Sequence, residues 1–314
     1  MKVLVTGASG FIGRGLCLHL EKRGYGVIPS GRNHRVFSSD ENLIRKEIGP
    51  ATDWSAILTE TDFIVHLASA PGRGNNLTDK QIQHLWMTNV EGAVNLAVQA
   101  AAAKIKRFIY LSTVKVHGEQ SHCRPFREND RPEPLGPYSR SKLKAELKLR
   151  TISGQNGLEM VIIRPPLVYG PGVKGNFLRI LSWINKGLPL PLAAIDNRRS
   201  LIGLDNLLDF ITLCLEHPGA GNNTFLVSDG EDLSTPEIIR RTAFHMKKKC
   251  RIFPVPRCLL EYSGFLLGRG RQVTSLCTSL QVDSARAMET LSWSAPFSVD
   301  EGLKKTVSWY LNHA

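Results

Sequence analysis

With 314 residues, 42% of them hydrophobic and 22% charged, the chain has an ordinary globular composition and room for one large α/β domain plus a smaller one. Its formal charge of +12 suits nucleic acid, an acidic membrane surface or a polyanionic small substrate as partner, but the basic residues are dispersed, which argues against nucleic-acid binding. The six cysteines (Cys17, Cys123, Cys214, Cys250, Cys258, Cys277) form no C-x-x-C pair, no metal-like spacing with histidine and no disulfide framework, so they read as reduced thiols and no metal site is expected.

The chain runs straight into a strand, "KVLVT", without the charged, apolar and small-residue succession of a signal peptide. A helix from about Phe11 follows, then "YGVIPS", "DFIVHLA", a helix through "NVEGAVNLAVQAAAA", "RFIYLST", a helix around "SRSKLKAELKLR", and "LEMVIIRP". Strand and helix alternating with few hairpin signals predicts an α/β fold, a doubly wound parallel sheet whose strands are apolar on both faces because helices cover both. After "RPPLVYGPG" the elements shorten and prolines and glycines cluster, so a boundary is expected near residue 166: a dinucleotide-binding domain over 1–165 and a mainly substrate-binding domain over 166–314. "SLIGLDNLLDFITLCLEH" reads as a strand and an amphipathic helix, and residues 199–219 are expected to return to the first domain. Further on, the one dense basic run, "MKKKCR" at 246–251, reads either as a solvated face or as a peripheral contact with acidic lipid headgroups. No apolar run reaches the roughly 18 residues of a membrane span. "CLLEYSGFLLG" at 258–268 is too short and carries Glu261, and a cytoplasmic protein is expected.

Three stretches carry chemistry. "TGASGFIG" sets Gly7, Gly10 and Gly13 directly after the first strand at the mouth of a helix, where glycines permit a tight turn and close approach to a pyrophosphate, and the helix N-terminus supplies N–H donors. Tyr138 and Lys142 in "YSRSK" stand four apart on one helical face, and an ammonium near a phenol favours the phenolate, drawing the tyrosine towards the range of a general acid or base. "RFIYLST" ends in Ser112 and Thr113, at the strand end that lines the ligand crevice of a parallel sheet; a hydroxyl there is placed to bond a carbonyl or alcohol oxygen.

Together "TGASGFIG", "HLA" at 66–68, Asn89 in "NVEG", "LSTVKVHGE", "YSRSK" and "RPPLVYGPG" resemble, in order and spacing and over essentially the whole chain, the extended short-chain dehydrogenase/reductase family, in its NAD-dependent epimerase/dehydratase group that acts on nucleotide sugars. The resemblance implies a Rossmann domain, a smaller nucleotide-sugar domain and a catalytic set of Thr113, Tyr138 and Lys142; counting back from Gly118 in the S-x-x-V-Y-G segment picks Thr113 over Ser112, with His117 replacing the usual tyrosine. It also implies that Gly7, Gly10, Phe11, Ile12 and Gly13 hold the pyrophosphate, that Leu67 and Ala68 lie along the cofactor, and that Tyr138 and Lys142 border it, Lys142 bonding the nicotinamide ribose. Asn176 in "KGNF" and Arg199 in "RRSLIGLDN" become candidates for the substrate diphosphate, and Lys115 either meets substrate or cofactor or is a solvated loop charge. Leu291, Trp293 and Pro296 read as packing residues, and a homodimer through helices over 80–103 and 137–153 is implied.

The cofactor and reaction hinge on "PSGRNHR" at 29–35. NAD-preferring members carry an acid at the end of the second strand that accepts from both ribose hydroxyls; counting 18 residues from Gly13, that position is Gly31, followed by Arg32 and then Arg35. Space plus a planar cation favours NADP(H), with NAD(H) as the alternative. "LSTVKVHGE", "FLVSDGEDLSTPEIIRR" and "SLQVDSARA" resemble the polysaccharide-locus members of the family, and with an NADP(H) site that resemblance implies reduction of the C4 ketone of a UDP-2-acetamido-2,6-dideoxyhexos-4-ulose, as for O-antigen precursors. A UDP-sugar 4-epimerase on tightly held NAD is the alternative, and a non-catalytic NADP(H) sensor the third. A 4,6-dehydratase is disfavoured because Val114 and Lys115, not an Asp-Glu pair, follow Thr113.

Overall fold

The computed structural model describes residues 1–31, 43–72 and 77–313. Its first half alternates as expected: β1 (Lys2–Thr6), α1 (Phe11–Lys22), β2 (Gly26–Ser30), α2 (Ser55–Leu58), β3 (Phe63–His66), α3 (Asp79–Trp86), α4 (Ala93–Ala102), β4 (Arg107–Leu111), α5 (Pro137–Asn156) and β5 (Glu159–Arg164). A π-helical stretch, Met87–Gly92, joins α3 to α4 and carries Asn89. There follow β6 (Leu167–Tyr169), α6 (Asn176–Asn185), β7 (Arg199–Gly203), α7 (Leu204–Glu216), β8 (Thr224–Leu226), β9 (Asp232–Leu233), α8 (Thr235–His245), α9 (Arg257–Leu266), α10 (Gly270–Cys277), α11 (Ala285–Leu291) and α12 (Val299–His313).

The large sheet has six strands in the order β2-β1-β3-β4-β5-β8, and every pair in it is parallel. A further parallel bridge, Ser30 to Ile44, continues it past β2. Strand periodicity splits its residues between two cores: Val3, Val5 and Val65 pack with Leu16 and Leu20 of α1 and Leu207 and Ile211 of α7, whereas Leu4, Ile64 and Phe108 pack with Leu96 of α4 and Ala145 and Leu149 of α5. Each such aliphatic side chain, fully buried, contributes roughly 1.5–3 kcal/mol.

The stretch expected to return to the first domain divides. Helix α7 packs on α1 beside the large sheet, but β7 pairs with β6 and β9 in a separate three-stranded sheet. The large sheet instead ends on β8, three buried residues too few to show a period in the sequence. A third core, including Tyr169, Phe177, Ile180, Leu201, Ile239 and Leu303, fills the second half. Phe11 touches both this core and that of the large sheet, so the start of α1 lies where the two halves meet.

Candidate active site

The strand order reverses at β1, with β2 on one side and β3 on the other; in open parallel sheets that reversal leaves a crevice at the carboxyl ends of the strands where ligands bind. A cavity of about 170 Å³ lies there, lined by Gly7, Ser9 and Gly10 after β1 and by Leu67, Ala68 and Ser69 after β3, with Thr88 and with Glu47 and Ile48 from the segment following β2. Gly7 has φ +71°, and a Cβ on it would stand 2.7 Å from the Ala68 nitrogen. At Gly13 a Cβ would meet the Gly7 carbonyl at 2.3 Å, so any larger residue would drive the turn and α1 apart. Gly10 caps α1 without a side-chain hydrogen bond among the described residues, which leaves the first-turn N–H groups, including those of Phe11, Ile12 and Gly13, to face an anion. A turn with no room for Cβ atoms, free N–H donors and a flanking crevice fit a dinucleotide pyrophosphate.

Arg32 and Arg35 lie outside the described residues. Gly31 is buried, and a Cβ on it would approach the Ser9 Oγ to 3.0 Å, so an acid at this position would crowd the phosphate turn. Glu47 does line the crevice, a carboxylate the sequence reading did not single out because it follows β2 at no fixed spacing.

Strand β4 delivers Ser112 and Thr113 to the same end of the sheet. Ser112 is buried and donates to the carboxylate of Glu146, which occupies its hydroxyl. Thr113 is half-buried, extended at φ −159° and ψ 147°, and among the described residues its Oγ1 accepts only a 3.3 Å bond from the Lys115 N–H. Of the two hydroxyls, that of Thr113 is the one left with bonding capacity.

Helix α5 begins at Pro137, whose fixed φ suits a first turn, and sets Tyr138, Lys142 and Glu146 in a column on one face. Gly72 packs against the base of Tyr138, where a Cβ would come within 2.7 Å of the tyrosine Cβ. Asn89 ties the crevice loop to this helix: its Oδ1 accepts from the Ala70 N–H at 2.7 Å, and its Nδ2 donates to Ser141 Oγ at 3.1 Å. The π-helical turn aims the Asn89 side chain inward, as such bulges often do at functional sites.

The electrostatics differ from the sequence expectation. Burial raises the Tyr138 phenol, opposed by the Ser69 hydroxyl, and Lys142 is not among the groups that lower it. The reason lies with Lys142 itself. Its Nζ sits 4.3 Å from the centroid of the Tyr110 ring, in a pocket whose dryness brings the ammonium down to about 7 against the opposing pull of Glu146. Below, His66 stacks on Tyr110 at 5.8 Å and shares a 2.8 Å hydrogen bond with Thr6 Oγ1; burial first and Lys142 second take it down to about 3. The protein alone therefore holds a neutral phenol over an ammonium that titrates near neutrality.

Glu146 also takes two bonds from Arg164, from Nε at 3.2 Å and Nη2 at 2.5 Å, and Arg164 Nη1 lies 2.9 Å from His117 Nε2. His117, in place of the usual tyrosine, is thus committed to this buried network, not to the crevice. The i, i+4, i+8 run from Tyr138 through Lys142 was the available signal for Glu146; nothing local marks Arg164.

The substrate candidates separate. Asn176 opens α6 and lines a cavity of about 530 Å³ with Arg179 of the same helix, Ser263 and Gly264 of α9, and Arg269. Arg199 Nη1 donates to the carbonyls of Ser275 and Thr278 at 2.7 and 2.9 Å, where a cation suits the end of α10. Lys115 is exposed and lies 3.7 Å from Glu119. Trp293 packs edge-on to Phe210 and donates to Asp209 at 3.0 Å. Among the described residues no group of three or more His, Cys, Asp or Glu side chains is placed to hold a metal ion.

The profile of the NAD dependent epimerase/dehydratase family matches residues 3–228. The chain belongs to that family. It is 39% identical over 316 residues to a UDP-glucose 4-epimerase of Vibrio cholerae, covering 98% of this chain and 95% of that protein. To the N-acetyl-alpha-D-glucosaminyl-diphospho-ditrans,octacis-undecaprenol 4-epimerase of Escherichia coli O157:H7 it is 26% identical, covering 99% and 96%. The crystal structure of UDP-glucuronic acid 4-epimerase from Bacillus cereus in complex with NAD shares its fold with a TM-score of 0.80 over 100% of this chain and 99% of that one, at 24% identity. This epimerase/dehydratase chain thus has the Rossmann-type parallel sheet of its family.

Proposed function

We propose that this protein is a nucleotide-sugar 4-epimerase, oxidising C4 of a UDP-hexose to a ketone and reducing that ketone on either face, so that the sugar returns with either C4 configuration. The observation that carries the reading is near full-length likeness, at 39% identity, to the Vibrio cholerae protein of that name. NAD, held by the turn Gly7–Gly13 and along Leu67 and Ala68, would supply the acceptor and donor of the C4 hydrogen. Tyr138 takes the proton of the C4 hydroxyl and returns it, Thr113 Oγ1 bonds the same oxygen, and Lys142, one turn along α5, would bond the nicotinamide ribose. Asn176, with Arg179 and Arg269, bonds the substrate diphosphate. Glu47 on the crevice wall favours NAD, since a carboxylate repels an added phosphate.

One observation favours a second reading, a 4-ketoreductase using exchangeable NADPH: Gly31 leaves no acid at the end of β2. Mass spectrometry of nucleotide released from the purified protein separates the two. The epimerase reading expects about one NAD per chain and interconversion of UDP-glucose and UDP-galactose without added cofactor. Tyr138→Phe is expected to slow turnover by about 10²–10⁴-fold while NAD stays bound. A nucleotide-free protein that consumes NADPH with UDP-2-acetamido-2,6-dideoxyhexos-4-ulose would replace the epimerase by the reductase.

A further inference from the structure

Helix α9 has apolar residues on both sides. Leu260 and Gly264 are buried on the side of the third core, while Leu259, Tyr262, Phe265 and Leu266 point outward with 57, 64, 76 and 65% exposure. At 3.6 residues per turn these four, with Cys258, fall within an arc of about 120°. Leu267, one residue on, is 73% exposed. A continuous outward apolar face of this kind marks a surface made to be covered.

The charge around it selects the cover. Residues 246–272 contain seven basic residues and one acid, Glu261, and that acid is paired with Arg257 at 2.8 Å. Lys247, Lys248, Lys249 and Arg251 are exposed. They follow Phe244, 77% exposed, and the chain then runs past Leu190, bonded there through Arg251 and Phe253, into α9. Two copies joined through this face would set its cations against one another, which opposes self-association. Cations beside exposed aromatic and leucine side chains are the chemistry of an anionic bilayer interface, where rings and chains enter the acyl boundary and cations meet headgroup phosphates. No helix among the described residues is long and apolar enough to cross a membrane, so such a contact lies on the surface.

We propose that the protein docks peripherally on anionic lipid through the outer face of α9 and the basic turn Lys247–Arg251. Ser263, Gly264 and Leu267 also wall the cavity that holds Asn176 and Arg269, so docking and access to that cavity share an element. The proposal does not depend on which C4 reaction the protein performs.

Co-sedimentation of the full chain with vesicles tests it. Binding is expected to vesicles of equal phosphatidylglycerol and phosphatidylcholine and not to phosphatidylcholine alone, and to fall as salt rises. Each surface cation contributes about fivefold to such binding, so the triple variant Lys247→Glu, Lys248→Glu, Lys249→Glu should lose at least about 100-fold. Phe265→Glu with Leu266→Glu, at exposed positions where the melting temperature should hold, should lose at least about tenfold. Wild-type protein left in the supernatant with phosphatidylglycerol vesicles overturns the proposal. So does full binding by the Phe265/Leu266 variant, or self-association that this variant abolishes in a protein that ignores vesicles.

Discussion

His66 and His117 are held neutral by their surroundings, and each has a ring nitrogen without a partner among the described residues. Burial, then Lys142, brings His66 down to about 3; burial, then Arg164, brings His117 down to about 4. In the unfolded chain both would take up a proton near pH 6.5. From there down to about 4 the unfolded state binds more protons than the folded one, so stability falls with falling pH and stops changing only below the folded values. Exposed carboxylates such as Glu60 and Glu237, whose pKa values are lowered by hydrogen bonds, lose their contribution only at lower pH. Urea midpoints are therefore expected to drop between pH 6.5 and 5, above the range where the exposed carboxylates protonate, with the half-buried Glu128 and Asp229, whose carboxyls burial raises, opposing part of the drop. A flat midpoint over that window would mean that neither imidazole is held neutral. The same low-dielectric pocket sets Lys142 near neutrality, so the group that would steady Tyr138 is itself sensitive to whatever enters the crevice.

Helix α7 returns to the large sheet because its N-terminus is anchored from a distance. Asp229, after β8, accepts from the Gly203 N–H at 2.8 Å, from Asn206 Nδ2 at 2.7 Å and from the Tyr169 hydroxyl at 2.7 Å, which joins the end of β7, the start of α7 and the end of β6. A carboxylate also suits the positive end of a helix. Asp229→Ala would leave the buried Gly203 N–H and one Asn206 Nδ2 hydrogen unsatisfied at about 1–3 kcal/mol each, while the Tyr169 hydroxyl keeps the Val299 carbonyl at 3.2 Å. A loss of about 2 kcal/mol or more is expected in chemical denaturation, and a loss under about 1 kcal/mol would show that water replaces the carboxylate. This junction also illustrates what could be read beforehand. The strands of the first half, the glycine turn and the Tyr138–Lys142 pair follow from period and spacing, which are local. The partition of β7 from α7, the three-residue β8 and the Arg164–Glu146–Ser112 network depend on partners 18 or more positions apart, which no local pattern records. Local spacing also put Lys142 beside Tyr138 but could not show how dry the pocket is, and dryness reverses the expected electrostatic effect.

At the scale of the whole molecule, two apolar surfaces belong to different cores. One is the outer face of α9, over the third core; the other lies on α4 and α5, which cover the large sheet and leave Val98 and Leu147 exposed at 51 and 54%. The second is the surface through which a homodimer is expected. One of its cations, Lys148, is neutralised by Glu91 at 2.9 Å, and the exposed Arg140, Lys144 and Arg150 of α5 would lie at the rim of a two-fold interface centred on Val98 and Leu147. Sedimentation velocity should then give a species of twice the 34.8 kDa chain, with a melting temperature that rises with protein concentration. Leu147→Glu with Val98→Glu would bury four charges across a two-fold interface without compensation, and should yield a folded monomer that keeps both the crevice and the α9 face. If the wild type is already monomeric, or if this variant stays dimeric, the α4–α5 surface is not the interface. A dimer that survives these changes but dissociates on Phe265→Glu would move the interface to α9 and remove the lipid-docking proposal with it.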